Sequence, residues 1–181
     1  MAQRKSTVEE AWPGDIVGLP DNGIFKIGDT LTEGDMLHFR GLPSFSPELF
    51  KYIENDDPMK SKQFQKGLEQ LMNEGVAQLF VNQFNNRRIV GTVGQLQFEV
   101  IQYRLEHEYN ARCRWEPVHL HKACWIEADS EEELERFKKR KYQYMAKDIE
   151  GRDVFLADSG YVLSMAQQDF EHVKFHFTSE F

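Results

Sequence analysis

Gly94-Gln-Leu-Gln-Phe-Glu-Val-Ile-Gln-Tyr-Arg-Leu-Glu-His-Glu-Tyr-Asn110 and the run that follows it, Ala111-Arg-Cys-Arg-Trp-Glu116, decide how this chain folds. In the first stretch Leu96, Phe98 and Val100 alternate as they would along a strand, while Phe98, Ile101 and Leu105 keep helical spacing. Its length and charged tail select the helix. In the second stretch Ala111, Cys113 and Trp115 alternate with Arg112, Arg114 and Glu116, the pattern of a half-buried strand whose polar face is basic at two of three positions.

Working upstream, residues 76–84 and 87–93 are rich in strand formers and are joined by Asn85-Asn86, a pair that tolerates the left-handed backbone of a two-residue hairpin turn. Before them lies a well-signed helix. Asp57 can cap it, Pro58 fits its first turn, Gly75 stops it, and Phe64, Leu68, Leu71 and Met72 form one apolar stripe. An extended segment around residues 47–53 precedes that helix. The order strand, helix, strand, strand, helix, strand is that of a ferredoxin-like split βαβ unit, expected over residues 43–118.

Downstream, the expectation is a second, smaller α/β unit over residues 119–181. It comprises a strand at 121–128, a helix at 131–147, a turn at 151–153, a short strand at 154–157, a helix at 160–170 and a last strand at 173–178. The first of these helices carries Ser130 and Glu133 as a capping box, acids in its opening turns and Arg136, Lys138, Lys139, Arg140 and Lys141 further along, which suits the helix dipole. Leu134, Phe137, Tyr144 and Met145 mark its buried face. No repeat or low-complexity tract is visible in the sequence.

The first forty residues read differently. Pro13-Gly14-Asp15, Asp21-Asn22-Gly23, Ile27-Gly28-Asp29 and Glu33-Gly34-Asp35 punctuate short apolar runs, a pattern of short strands and tight turns. The piece is too short to close a barrel alone. Residues 1–42 are therefore expected to be the remnant of a β-barrel domain, and the fold class as a whole α+β.

With 181 residues, 22 basic and 30 acidic side chains and a net charge of −8, the chain can bury a core but does not bind nucleic acid through bulk charge. Screening confines charge effects to roughly 8–10 Å at physiological salt, so any RNA contact must come from clustered Arg and Lys. Three such sets exist: Arg87 with Arg88, Arg112 with Arg114, and Lys138, Lys139, Arg140 and Lys141. Each reads either as solvated surface charge or as a set of contacts to RNA phosphates.

Other chemistry is thinner. No G-x-x-x-x-G-K-[ST] occurs, so no nucleotide cradle can be placed and no enzymatic activity is expected of this chain; Gly91-Thr-Val-Gly94 reads as helix entry. Cys113 and Cys124 lack the spacing of a zinc site and read as core thiols. His119 with His121 and His172 with His176 could each offer two metal ligands, but nothing in the sequence supplies a third, and no metal is expected. No apolar run is long enough to span a bilayer and no signal peptide opens the chain, so the expected compartment is the cytoplasm.

Glu9-Glu-Ala-Trp-Pro-Gly-Asp-Ile-Val-Gly-Leu19 with Ile27-Gly-Asp-Thr-Leu31 resembles the end of the second, β-barrel domain of translational GTPases. The helix 94–110 resembles that of the third domain in the elongation-factor-G-like branch, and Asp56-Asp-Pro-Met-Lys60, Gly67-Leu-Glu-Gln-Leu71 and Glu74-Gly-Val-Ala-Gln78 resemble the peptide-chain release factor three family specifically. The likeness runs from about Val8 to Phe181. It implies a ribosome-associated bacterial protein that helps recycle the codon-specific release factors, with GTP and Mg bound in a GTPase domain preceding Met1 and with no membrane or DNA partner. It transfers no contact to any individual residue here. The elongation factor G class itself and a small metal-dependent enzyme stand as alternatives.

Overall fold

The computed structural model describes residues 7–20, 30–35 and 46–178. The chain from Ser46 runs β1 (Leu49–Asn55), α1 (Ser61–Asn73), β2 (Gln78–Asn82), β3 (Arg88–Thr92), α2 (Gln95–Glu108) and β4 (Cys113–Pro117). It continues with β5 (Lys122–Ala128), α3 (Glu131–Arg140), β6 (Met145–Asp148), β7 (Asp153–Ala157), α4 (Gly160–Asp169) and β8 (Val173–His176). All eight strands share one antiparallel sheet in the order β4-β1-β3-β2-β6-β7-β5-β8.

That order contains a repetition that the sequence hides. The first six elements form the expected ferredoxin-like unit, with β3 between β1 and β2 and β1 between β3 and β4. The next six repeat the same connections, with β7 between β5 and β6 and β5 between β7 and β8. The two units meet through equivalent strands, β2 and β6, paired antiparallel with Phe80 opposite Asp148 and Asn82 opposite Ala146. The second unit is therefore a complete βαββαβ motif.

Completing it requires a correction to the sequence reading. The helix expected over 131–147 ends at Arg140; a 3-10 turn, Tyr142–Tyr144, follows, and Met145–Asp148 is strand β6. Tyr144 and Met145 fit helical spacing from Phe137, so periodicity carries the helix too far. The ladder with β2 and β7 supplies these residues with backbone partners that no local signal reveals. The expected capping box holds in part, since Ser130 Oγ accepts from Glu133 N–H at 3.3 Å, while the Glu133 carboxylate pairs with Arg136 at 2.7 Å.

The hairpin between β2 and β3 is also longer than expected. Its loop spans 83–86, closed by a hydrogen bond from Asn82 N–H to Arg87 carbonyl at 3.0 Å, and of the two asparagines only Asn86 is left-handed, with φ 57°. The buried Asn82 builds the loop by accepting from Phe84 N–H at 2.9 Å and Asn85 N–H at 3.2 Å. Asp57 caps the 3-10 turn Pro58–Lys60 that leads into α1, and Gly75, at φ 71°, follows its end.

Three apolar clusters organise the molecule. Ile53, Phe64, Leu68, Phe98, Ile101 and Leu105 fill the space between the first half-sheet and α1 and α2. Phe137 sits at the centre of the second, against Phe155, Phe170 and Phe175, beneath α3 and α4. The third lies on the helix-free face and joins both units through Phe50, Phe80, Ile89, Trp125, Val154 and Leu156. Phe80 and Trp125 stand three strands apart, a span of about 14 Å in a flat sheet, yet their ring centroids are 6.2 Å apart. The sheet is thus strongly curled about this cluster. Ser46, just before β1, ties the curl by donating its N–H to Phe177 carbonyl at 2.8 Å and accepting from Ala123 N–H through Oγ at 3.2 Å. Gly91 belongs to this packing, because a Cβ there would clash with Cγ and Cβ of Pro47 and crowd the Phe80 ring.

Both cysteines are buried, and burial pushes each thiol up to about 12. In the N-terminal piece, Trp12 to Asp15 forms a tight turn, with Asp15 N–H on Trp12 carbonyl at 2.9 Å, Trp12 N–H on Asp15 Oδ2 at 2.8 Å and Gly14 at φ 100°. The other expected features fare differently: residues 7–20 and 30–35 contain no strand, and the turns at Asp21-Asn22-Gly23 and Ile27-Gly28-Asp29 lie outside the described residues.

Candidate functional site

The three basic sets resolve into paired and unpaired charges. Arg87, entering β3, reaches across the helix-free face to Glu54 on β1 at 2.6 Å and to Glu116 on β4. Arg114 on β4 pairs with the same carboxylates, at 2.9 Å to Glu54 and 3.4 Å to Glu116. The Arg87 guanidinium also lies 3.7 Å from the Tyr52 ring centroid, a cation–π contact. Two guanidinium groups against two carboxylates give no net charge. The strand register produces this arrangement, since Tyr52 stands opposite Glu116 and Glu54 opposite Arg114. Sequence reasoning misses Glu54 and Glu116, because their opposition to the arginines depends on a register not legible in local sequence.

Arg114 and Arg87 together hold the Glu54 carboxyl below its ordinary 4.5. A carboxyl whose folded pKa is lowered contributes stability above its unfolded value and loses it as pH falls through the folded one. Glu54→Gln is therefore expected to flatten the fall of Tm with pH below about 4.5. Thermal melts from pH 6 to pH 3 check this, and parallel curves for parent and variant would contradict it.

The helix set divides likewise. Lys138 bonds Glu135 at 2.6 Å and approaches Asp153 at 3.4 Å, and Lys141 lies 3.9 Å from Asp169. Lys139 and Arg140 are exposed, as are Arg88 and Arg112, and none of these four makes an ion pair with a described residue. Arg112 stands one residue before β4, its carbonyl accepting from Asp56 N–H at 3.0 Å.

Two sets far apart in sequence are brought to one seam. Phe84, in the β2–β3 loop, packs edge-on against Tyr142, just after α3, at 5.9 Å, and the Tyr142 hydroxyl donates to Gln83 carbonyl at 2.9 Å. Both rings are largely exposed. Arg88 follows Phe84 by four residues and Arg140 precedes Tyr142 by two, so two unpaired cations stand close in sequence to the exposed aromatic pair where the units join. Read from sequence, Tyr142 belongs to a helix and Phe84 has no role. An exposed aromatic beside a basic pair is the signal that could have found them.

The histidines do not converge. His172 lies 3.5 Å from Asp129 and His176 3.3 Å from Glu127, and no group of three metal-ligating side chains forms among the described residues. Among the same residues no helix is long and apolar enough to cross a membrane.

Fold and charge together define a double split-βαβ domain that carries unpaired cations and an aromatic pair on open surface. A family model described as class II release factor RF3, C-terminal domain, matches residues 39–167, and one described as elongation factor G domain 2 matches residues 1–34. The chain belongs to the class II release factor RF3 C-terminal-domain family, and its two matches are those of a translational GTPase.

Proposed function

We propose that this chain is the ribosome-binding part of a factor that uses GTP to recycle codon-specific release factors in the bacterial cytoplasm. The observation that carries the reading is the family match over residues 39–167. On this reading GTP and Mg are held by a domain preceding Met1, this chain hydrolyses no nucleotide itself, and the release factors are met only indirectly.

The geometry supports a division of labour among the eight basic candidates. Arg88, Lys139, Arg140 and Arg112, exposed and without an ion-pair partner among the described residues, are free to meet ribosomal RNA phosphates or a carboxylate of a ribosomal protein. Arg87, Arg114, Lys138 and Lys141 already carry carboxylate partners, so they shape the surface more than they charge it.

Sedimentation of the purified chain with bacterial ribosomes across a salt series tests this. The triple replacement of Arg88, Lys139 and Arg140 by alanine is expected to weaken binding and to lower the slope of log K against log salt by roughly 0.7–0.9 for each phosphate no longer neutralised. Arg87→Ala with Arg114→Ala should leave that slope close to the parent value. Unchanged binding of the triple variant at every salt concentration would remove these three residues from the interface, and no binding by the parent chain would remove the ribosome reading itself.

A further inference from the structure

The outer face of α2 carries an apolar stripe that the fold does not use. The inner face is occupied by Phe98, Ile101 and Leu105, all buried. Directly opposite, Val93 just before the helix and Leu96, Val100, Tyr103 and His107 within it recur at alternating steps of three and four residues. Val93 is 64% exposed, Leu96 68%, Val100 40% and Tyr103 62%. A surface helix ordinarily keeps one apolar stripe, turned inward. The neighbouring α1 obeys that rule, exposing only Ser, Lys, Gln and Glu side chains. Tyr103 and His107 are stacked at 4.0 Å, and His107 Nδ1 lies 2.8 Å from Tyr103 carbonyl, so this end of the stripe is already ordered.

Charge says what can cover it. Glu99 and Glu106 border one side, where they line a shallow concavity with Gln102 and Tyr103. On the other side Arg104 is held by Glu74 and, at 2.8 Å, by Glu108. Four carboxylates against one guanidinium give this face a net charge of −3. RNA is repelled by such a rim, and a second copy would bring the same carboxylates together. The described N-terminal segments, residues 7–20 and 30–35, carry Glu9, Glu10, Asp15, Glu33 and Asp35 and no Lys or Arg, so they are no better matched.

We propose that the Leu96–Val100–Tyr103 face of α2 docks a Lys- and Arg-bearing protein segment whose apolar side chains cover the stripe while its cations meet Glu99 and Glu106. The proposal rests on the ribosome-binding reading, and identifies the occupant as a basic ribosomal protein rather than RNA. It assigns the molecule two surfaces of opposite character: cations and aromatics at the seam, carboxylates and apolar groups on α2. Spacing of three and four residues is how a helix presents anchors to a groove or strand of a partner.

The test places a photo-crosslinking p-benzoylphenylalanine at position 103 of this chain and irradiates it on purified bacterial ribosomes at low salt. The expected product is a cross-link to a ribosomal protein, within a Lys/Arg-rich stretch. In parallel, Leu96→Ser with Tyr103→Ser should keep the parent melting temperature, since both side chains are exposed, yet bind ribosomes roughly tenfold or more weakly. A chain that sediments but cross-links only to RNA, or not at all, overturns the docking face and leaves the ribosome reading standing. Parent-level binding by the double variant does the same. A parent chain that fails to sediment overturns both.

Discussion

Replacing Phe80 by alanine is expected to lower the unfolding free energy by about 3–5 kcal/mol, the cost of emptying a fully buried aromatic site that cannot collapse. Phe80 is 0% exposed and lies 6.4 Å from Phe50 and 6.2 Å from Trp125, ring centroid to ring centroid. Those partners belong to different units, so the loss falls on the cluster that makes one body of two motifs. Urea unfolding followed through Trp fluorescence and through far-UV circular dichroism should show one coincident transition shifted to lower denaturant. If instead only the second unit loses hydrogen-exchange protection while β1 and β3 keep theirs, the helix-free cluster is not what couples the two.

Phe137→Ala should cost a similar amount, about 3–5 kcal/mol, for a different reason. Its ring meets Phe170 at 4.9 Å, Phe155 at 5.5 Å and Phe175 at 5.6 Å, all at steep interplanar angles. Edge-to-face pairs add about 0.5–1.5 kcal/mol each beyond burial, and one substitution removes all three. Phe137→Leu keeps much of the volume and forfeits the ring geometry, so it should fall between parent and alanine variant. A leucine variant as unstable as the alanine one would mean that ring geometry, not volume, carries the cost; an alanine variant within about 1 kcal/mol of the parent would show that this site collapses around the gap.

These expectations bear on function because the seam and the α2 face sit on this framework. Phe84 and Tyr142 meet where β2 pairs with β6, and the basic residues that neighbour each of them in sequence are otherwise far apart in the chain. A core substitution that loosens the β2–β6 pairing should therefore weaken ribosome binding on the proposed reading, even though it touches no charged residue.

Much of the fold is legible from local signals. Phe64, Leu68, Leu71 and Met72 read as one helical stripe and are all buried. Ser130 caps its helix as read, and the alternation of Cys113, Arg114 and Trp115 becomes strand β4. The candidate surface is legible only as a set of residue types. Which of Arg87, Arg88, Arg112 and Arg114 keeps a free charge depends on Glu54 and Glu116, which face Arg87 and Arg114 across strand pairings set by the whole sheet.

Features that rest on neighbours within about four residues are written in the chain itself: helix spacing, caps, the Pro13-Gly14 turn and strand alternation. Long-range pairing settled the rest. Met145–Asp148 became a strand because β2 and β7 offered it hydrogen bonds, and the second α/β unit became a topological copy of the first without any sequence repeat. The physical reason is that backbone pairing and ion-pair cancellation are made between residues distant in the chain, where local periodicity carries no information about the partner.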